Sequence, residues 1–121
     1  MEKLRAYYDH RPLPIEAVGD GSYLYRWDIQ EDDNNDPIQY VCNEVHIVNG
    51  FTSNHIIECV LIALYGNNVE AKLINEYNSA VAGILDESYK ERYIAFLNER
   101  SRIKQQIEKD YNEFVKKENI V

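Results

Sequence analysis

The sequence predicts a small α+β domain: an extended N-terminal arm, a two-stranded antiparallel β-hairpin, and three α-helices with a long C-terminal helix. Three observations carry that expectation. Pro12 and Pro14 stand at alternate positions ahead of Gly19-Asp20-Gly21, and each proline ring fixes φ and disfavours helix in the residue before it. Tyr23, Tyr25, Trp27 and Ile29 recur at every second position, the period of a strand with one packed face. From residue 53 onward, apolar residues recur at intervals of three and four, the period of a helix. A chain of 121 residues that is 45% hydrophobic and 28% charged is long enough for one domain with a real core. That composition excludes wholesale disorder and collagen-like sequence.

Taken in order, residues 1–21 read as an arm lying across the domain or reaching to a neighbour, and residues 22–121 as a single domain. The hairpin occupies residues 22–50. Its first strand puts Tyr23, Tyr25, Trp27 and Ile29 on one face and Ser22, Leu24, Arg26 and Asp28 on the other. Residues 31–37 form an acidic turn. A second strand, from Ile38 to Val48, aligns Val41, Val45 and Ile47 and ends at Asn49-Gly50, a pair suited to positive φ.

Helices are expected over about 53–65, 68–83 and 87–117. Thr52 or Ser53 caps the first, whose Ile56, Ile57, Val60, Leu61, Ala63 and Leu64 leave almost no polar face, so it should be the central buried element. Asn67 and Glu70 stand at capping-box spacing before the second. The third carries Tyr89, Tyr93, Phe96, Leu97, Ile103, Ile107, Tyr111 and Phe114 on one stripe, interrupted by Arg100. At ~1.5 Å per residue it is about 45 Å long, against a radius of gyration of ~14 Å for a compact domain of this size. It must therefore protrude, fold back or pack along another chain.

Thirteen basic residues against 21 acidic ones give a net charge of −8. That balance argues against a nucleic-acid backbone binder and against docking on an anionic membrane. The acidity sits in residues 1–50, which hold ten acids and four bases, whereas residues 86–121 hold eight of each. Met1 to Arg5 lack the apolar stretch of a secretory signal, and no apolar run is long enough to span a bilayer. The expected location is the cytoplasm of a host cell, or an assembly built there. Cys42 and Cys59, the two cysteines, read as small buried hydrophobes rather than a disulfide framework.

Four constellations invite chemistry. Cys42, His46, His55 and Cys59 are all competent zinc ligands. Residues 42 and 46 in one strand would however lie about 13 Å apart, too far to chelate one ion. His55 and Cys59 at i, i+4 could form a nucleophile pair, but nothing supplies an oxyanion hole. Asp32-x-Asn34-x-Asp36 begins like a calcium loop, yet Pro37 stands where the turn needs glycine. Glu44 beside His46 could be an acid–base pair, and alternating polar residues on a half-exposed strand explain both as well. No phosphate loop, nucleophile elbow or zinc-protease signature occurs. No catalytic, cofactor-binding or metal residue is assigned.

The positive signal is aromatic: ten tyrosines against three phenylalanines. Tyrosine suits surfaces that are half dry, and protein interfaces are enriched in it. Either a single core is rimmed with tyrosine, or part of this surface meets other proteins, with contacts at the arm (Tyr7, Tyr8, Leu13, Ile15), the aromatic strand (Tyr25, Trp27) and the last helix (Tyr93, Ile107, Tyr111).

The stretch from the Trp27 strand through EVHIVNGFTSNHIIECVLIALYGNNVEAKLINEYNSAVAGI resembles a group of small uncharacterised proteins of prophages and tailed phages of gut bacteria. An aromatic strand pair, an E-V strand, a T-S/T-N helix cap and an L-I-N-E-Y-N run before a charged helix carry the resemblance, over about residues 23–100. It implies a phage or mobile-element setting and brings no site residues with it.

The expected function is that of a non-enzymatic structural or assembly protein acting through protein–protein contacts, a virion or tail-associated component, with copies of itself among the candidate partners. The alternative is an acidic inhibitor that mimics nucleic acid and blocks a DNA-binding protein, which predicts carboxylates spaced like phosphates. A small enzyme is the third reading and predicts a pocket near Glu44, His46 and His55.

Overall fold

The computed structural model describes residues 4–34 and 37–118. Four strands, β1 (Arg5–Tyr8), β2 (Ile15–Ala17), β3 (Tyr23–Asp32) and β4 (Gln39–Ile47), precede three helices, α1 (Ser53–Tyr65), α2 (Val69–Val81) and α3 (Ser88–Lys117). The strands form one antiparallel sheet in the order β1-β4-β3-β2.

The two-stranded sheet expected from the sequence is thus four-stranded. From residue 4 onward the arm does not reach away: it supplies both sheet edges, β1 beside β4 and β2 beside β3. The physical reason is that a lone hairpin leaves two rows of backbone donors and acceptors open, and three or more strands are needed for independent stability. Residues 9–14, held extended by Pro12 and Pro14, carry the chain from one edge to the other.

Trp27 pairs with Asn43 and Gln30 with Val41, so Asp28 and Ile29 together oppose one residue of β4. Within this bulge Asp28 takes φ 53°, a left-handed conformation that aspartate tolerates better than most residues. The bulge takes Ile29 out of the Tyr23-Tyr25-Trp27 alternation, a correction to the simple two-residue period.

The core lies between the sheet and the helices, where Ile15, Tyr25, Trp27 and Ile47 meet Ile56, Ile57 and Val60 of α1 and Ile103 and Ile107 of α3. Helix α1 is not buried all round as expected. It sinks Ile56, Ile57 and Val60 and leaves Ile62 half exposed. Thr52 caps it, its hydroxyl oxygen accepting from the His55 N–H at 3.1 Å. The residue before α2 is Asn68, left-handed and with no side-chain cap bond, so the capping box expected at Asn67 and Glu70 does not form. Glu70 instead reaches Arg100 of α3 at 3.7 Å, which places Arg100 against an acid of its own chain.

The long helix is accommodated within the chain by division of labour. Its C-terminal half packs on α1 and the sheet and ends in an aromatic cluster: Phe51 stacks on Tyr23 with centroids 3.8 Å apart and touches Tyr111 and Phe114. Its N-terminal half projects beyond the core, where Tyr93 meets Tyr77 of α2 and Phe96 meets Tyr65 of α1. The apolar stripe read from the sequence is the one buried, with Phe96, Ile103 and Ile107 fully inside. Ala80 is the one fully buried residue of α2.

Candidate functional site

The sheet face opposite the helices carries a buried cation. Arg26 is 2% exposed. Its Nε donates to Glu44 at 2.8 Å, its Nη2 to Glu16 at 2.7 Å and to the Tyr8 hydroxyl at 2.9 Å, and its Nη1 to the Leu13 carbonyl at 3.0 Å. The guanidinium also lies 4.6 Å from the Tyr8 ring centroid, and the Tyr8 hydroxyl donates to Glu44. Burial pulls the Arg26 pKa down, but the bonds to Glu44, Glu16 and Tyr8 outweigh it and hold it above its ordinary value. Desolvation, followed by the bond to Glu44, raises the Tyr8 phenol. One residue of β3 thus grips β1, β2, β4 and the crossing segment. The partners are all its own chain's, so this arrangement is a clasp.

On the helix-facing side, a cleft of about 240 Å³ opens between β3, α3 and the crossing segment; Arg11, Trp27, Asp28, Arg102, Gln106 and Asp110 are among its lining. Asp110 is 8% exposed. Its Oδ2 accepts from the Tyr25 hydroxyl at 2.7 Å and its Oδ1 from the Gln106 amide at 3.0 Å. Tyr25 is fully buried beneath it, and its phenol is pushed well above the usual tyrosine range by desolvation and by the Asp110 bond. Arg102 is committed to Glu99 through two bonds of 2.7 and 3.1 Å.

Of the candidates from the sequence, His55 and Cys59 meet and the others are not brought together. Cys42 is buried on β4, and burial raises its thiol pKa. His46 Nε2 lies 2.7 Å from Ser22 Oγ, and His55 Nε2 lies 2.6 Å from the Val48 carbonyl and 3.7 Å from Cys59 Sγ. Burial raises the Cys59 thiol as well, away from the thiolate a nucleophile needs. Among the described residues no group of three or more His, Cys, Asp or Glu side chains converges as a metal site would require. Of the acidic turn, residues 35 and 36 lie outside the described residues, and Asp32 Oδ1 accepts from the Asn34 N–H at 3.2 Å. Glu44 belongs to Arg26 and not to His46. Ser22, His46 and Asp20 do meet, but Ser22 Oγ donates to Asp20 at 2.5 Å. Its proton therefore points away from the histidine that would have to accept it.

Of the residues proposed as contact points, Ile15, Tyr25, Trp27 and Ile107 belong to the core and are at most 8% exposed. Tyr8 is held by Arg26, Tyr93 packs on Tyr77 and Tyr111 on Phe51. Tyr7 and Leu13 are exposed. Missed in the sequence is the turn after α2, Val81-Ala-Gly-Ile-Leu85, where Val81 is 59% and Ile84 is 77% exposed. The signal was there: an apolar run where a helix–helix turn is ordinarily polar. Also missed is Asp110, a carboxylate one turn from Ile107 on the apolar stripe.

No helix among the described residues is long and apolar enough to cross a membrane. No family model, curated protein or solved structure matches the chain.

Proposed function

We propose that the protein is a non-enzymatic structural or assembly component that works through protein–protein contacts, with the tip of the α2–α3 pair as its contact surface. The observation that carries this reading is the apolar turn itself. Val81 and Ile84 are exposed in the turn that joins α2 to α3, and Ser88, where α3 leaves that turn, is about 22 Å along the helix axis from Ile103 in the core, at ~1.5 Å per residue. Contiguous apolar surface exposed away from the core marks a site of contact with another protein. The simplest partner is a second copy, because an apolar tip is self-complementary across a two-fold axis. The resemblance of residues 23–100 to prophage and tailed-phage proteins supports a virion or tail-associated setting, in the host cytoplasm or in the particle.

The test is solution mass by light scattering over a concentration series, for the wild type and Ile84→Ser. Burying an isoleucine side chain contributes about 1.5–3 kcal/mol, and a two-fold pair loses one from each copy, about 3–6 kcal/mol in all, so the substitution weakens association by more than about a hundredfold without altering the circular dichroism. A wild type whose mass is monomeric at every concentration refutes pairing between copies.

A further inference from the structure

We propose that the cleft between β3 and α3 is a binding site for an alkylammonium group, with the Asp110 carboxylate as its counter-ion. Three observations converge on that chemistry. Asp110 forms no ion pair among the described residues; its two hydrogen bonds come from neutral donors, Tyr25 and Gln106. A carboxylate so deeply placed is normally paired or accepts more bonds, and two acceptor positions remain. It also faces open space: the cleft holds about 240 Å³, room for a short chain of heavy atoms as well as an ammonium. The charges around it favour a cation. Asp28 and Asp110 are acids, Arg102 is matched by Glu99, and Arg26 is matched by Glu16 and Glu44. The lining itself holds three arginines and two aspartates; with Glu16, Glu44 and Glu99, the acids bonded to Arg26 and Arg102, the count is five acids to three bases, and Arg11 is the one lining cation without an acidic partner among the described residues. The apolar part of the ligand meets Trp27, whose ring attracts cations and covers methylene groups equally well.

Trp27, the single tryptophan of the chain, lines this cleft and so reports its occupancy by emission. Butylammonium chloride, titrated at constant ionic strength, produces a saturable change in that emission, whereas sodium butyrate and butanol do not. Asp110→Asn, which keeps the shape and an acceptor for Tyr25, weakens binding at least tenfold. Gln106→Lys, at an exposed position one turn from Asp110, supplies a tethered ammonium to the same carboxylate and abolishes the response while leaving the fold intact. Nα-acetyl-lysine methylamide separates the two sources of the group: affinity equal to that of butylammonium assigns the site to a lysine side chain of a partner, and affinity tenfold weaker assigns it to a free amine. No saturable response to butylammonium, an equal response to butanol, or an undiminished response in Gln106→Lys overturns the proposal.

Discussion

Replacing Arg26 by methionine removes the clasp and keeps most of the side-chain volume. The loss follows from the partners left behind. Glu44 is only 23% exposed in its side chain and loses its cation, the situation in which breaking a buried pair costs about 3–5 kcal/mol. Water reaches part of that carboxylate, which moves the expected value to the lower end. Glu16 is more than half exposed, so its pairing adds about 0–1 kcal/mol. The Leu13 carbonyl loses a bond worth about 1 kcal/mol, and methionine regains some packing. The net expectation is a loss of about 3 kcal/mol, or a fall in Tm of about 10–15 °C for a chain of this size. Urea unfolding followed through Trp27 emission measures it. Amide exchange should accelerate most in β1 and β2, because those strands are held to the sheet through this residue. In a cycle with Glu44→Gln, the coupling should be about 1–3 kcal/mol. An Arg26→Met protein within about 0.5 kcal/mol of the wild type, with β1 and β2 still protected, refutes the clasp.

Three further expectations rest on single contacts. Tyr25 has its pKa raised above the unfolded value of 10.0, so the stability it contributes is complete below pH 10 and is lost as pH rises beyond it. Tyr25→Phe should flatten that alkaline decline by up to about 1.4 kcal/mol per pH unit, read from urea midpoints above pH 10. Thr52→Ala removes the cap on the His55 N–H and should lower stability by about 1 kcal/mol in thermal unfolding. Asp28→Val forces a β-branched residue into the left-handed region and should lose about 1–2 kcal/mol, whereas Asp28→Gly should be neutral or stabilising by the same assay.

The helices were legible because each satisfies its hydrogen bonds locally and shows its period within its own residues; α1 matches the expected bounds of 53–65. Sheet pairing is decided elsewhere. Nothing within Arg5-Ala-Tyr-Tyr8 or Ile15-Glu-Ala17 says which neighbour each strand takes, and Arg26 reads in isolation as an ordinary solvated residue on a strand's outer face. The bulge at Asp28 was equally silent, since a two-residue period carries no mark of the point where it slips. Tyrosine richness is legible in the sequence, but which rings pack within the chain is not. Tyr8, Tyr25, Tyr77, Tyr93 and Tyr111 spend their rings and hydroxyls within the chain. The apolar composition of the 81–85 turn is readable in the sequence, but its exposure is not. Asp110 became visible only when the fold brought it over Tyr25, 85 residues earlier in the chain.

That separation, together with the sheet order β1-β4-β3-β2, bears on how the chain comes together during synthesis. Arg5 and Ile15 leave the ribosome before Asn43 and Tyr25, the residues they pair with. Residues 5–8 must therefore wait unpaired until β4 has been made, whereas β2 pairs with β3 only six to ten residues further on. The Tyr25–Asp110 bond waits longer still, for nearly the whole of α3. Closing loops of this length is entropically costly and slow relative to helix formation. The β1 edge is accordingly among the last to be sealed, and the interval before Arg26 finds Tyr8 and Glu44 is when strand exchange between nascent chains competes with folding.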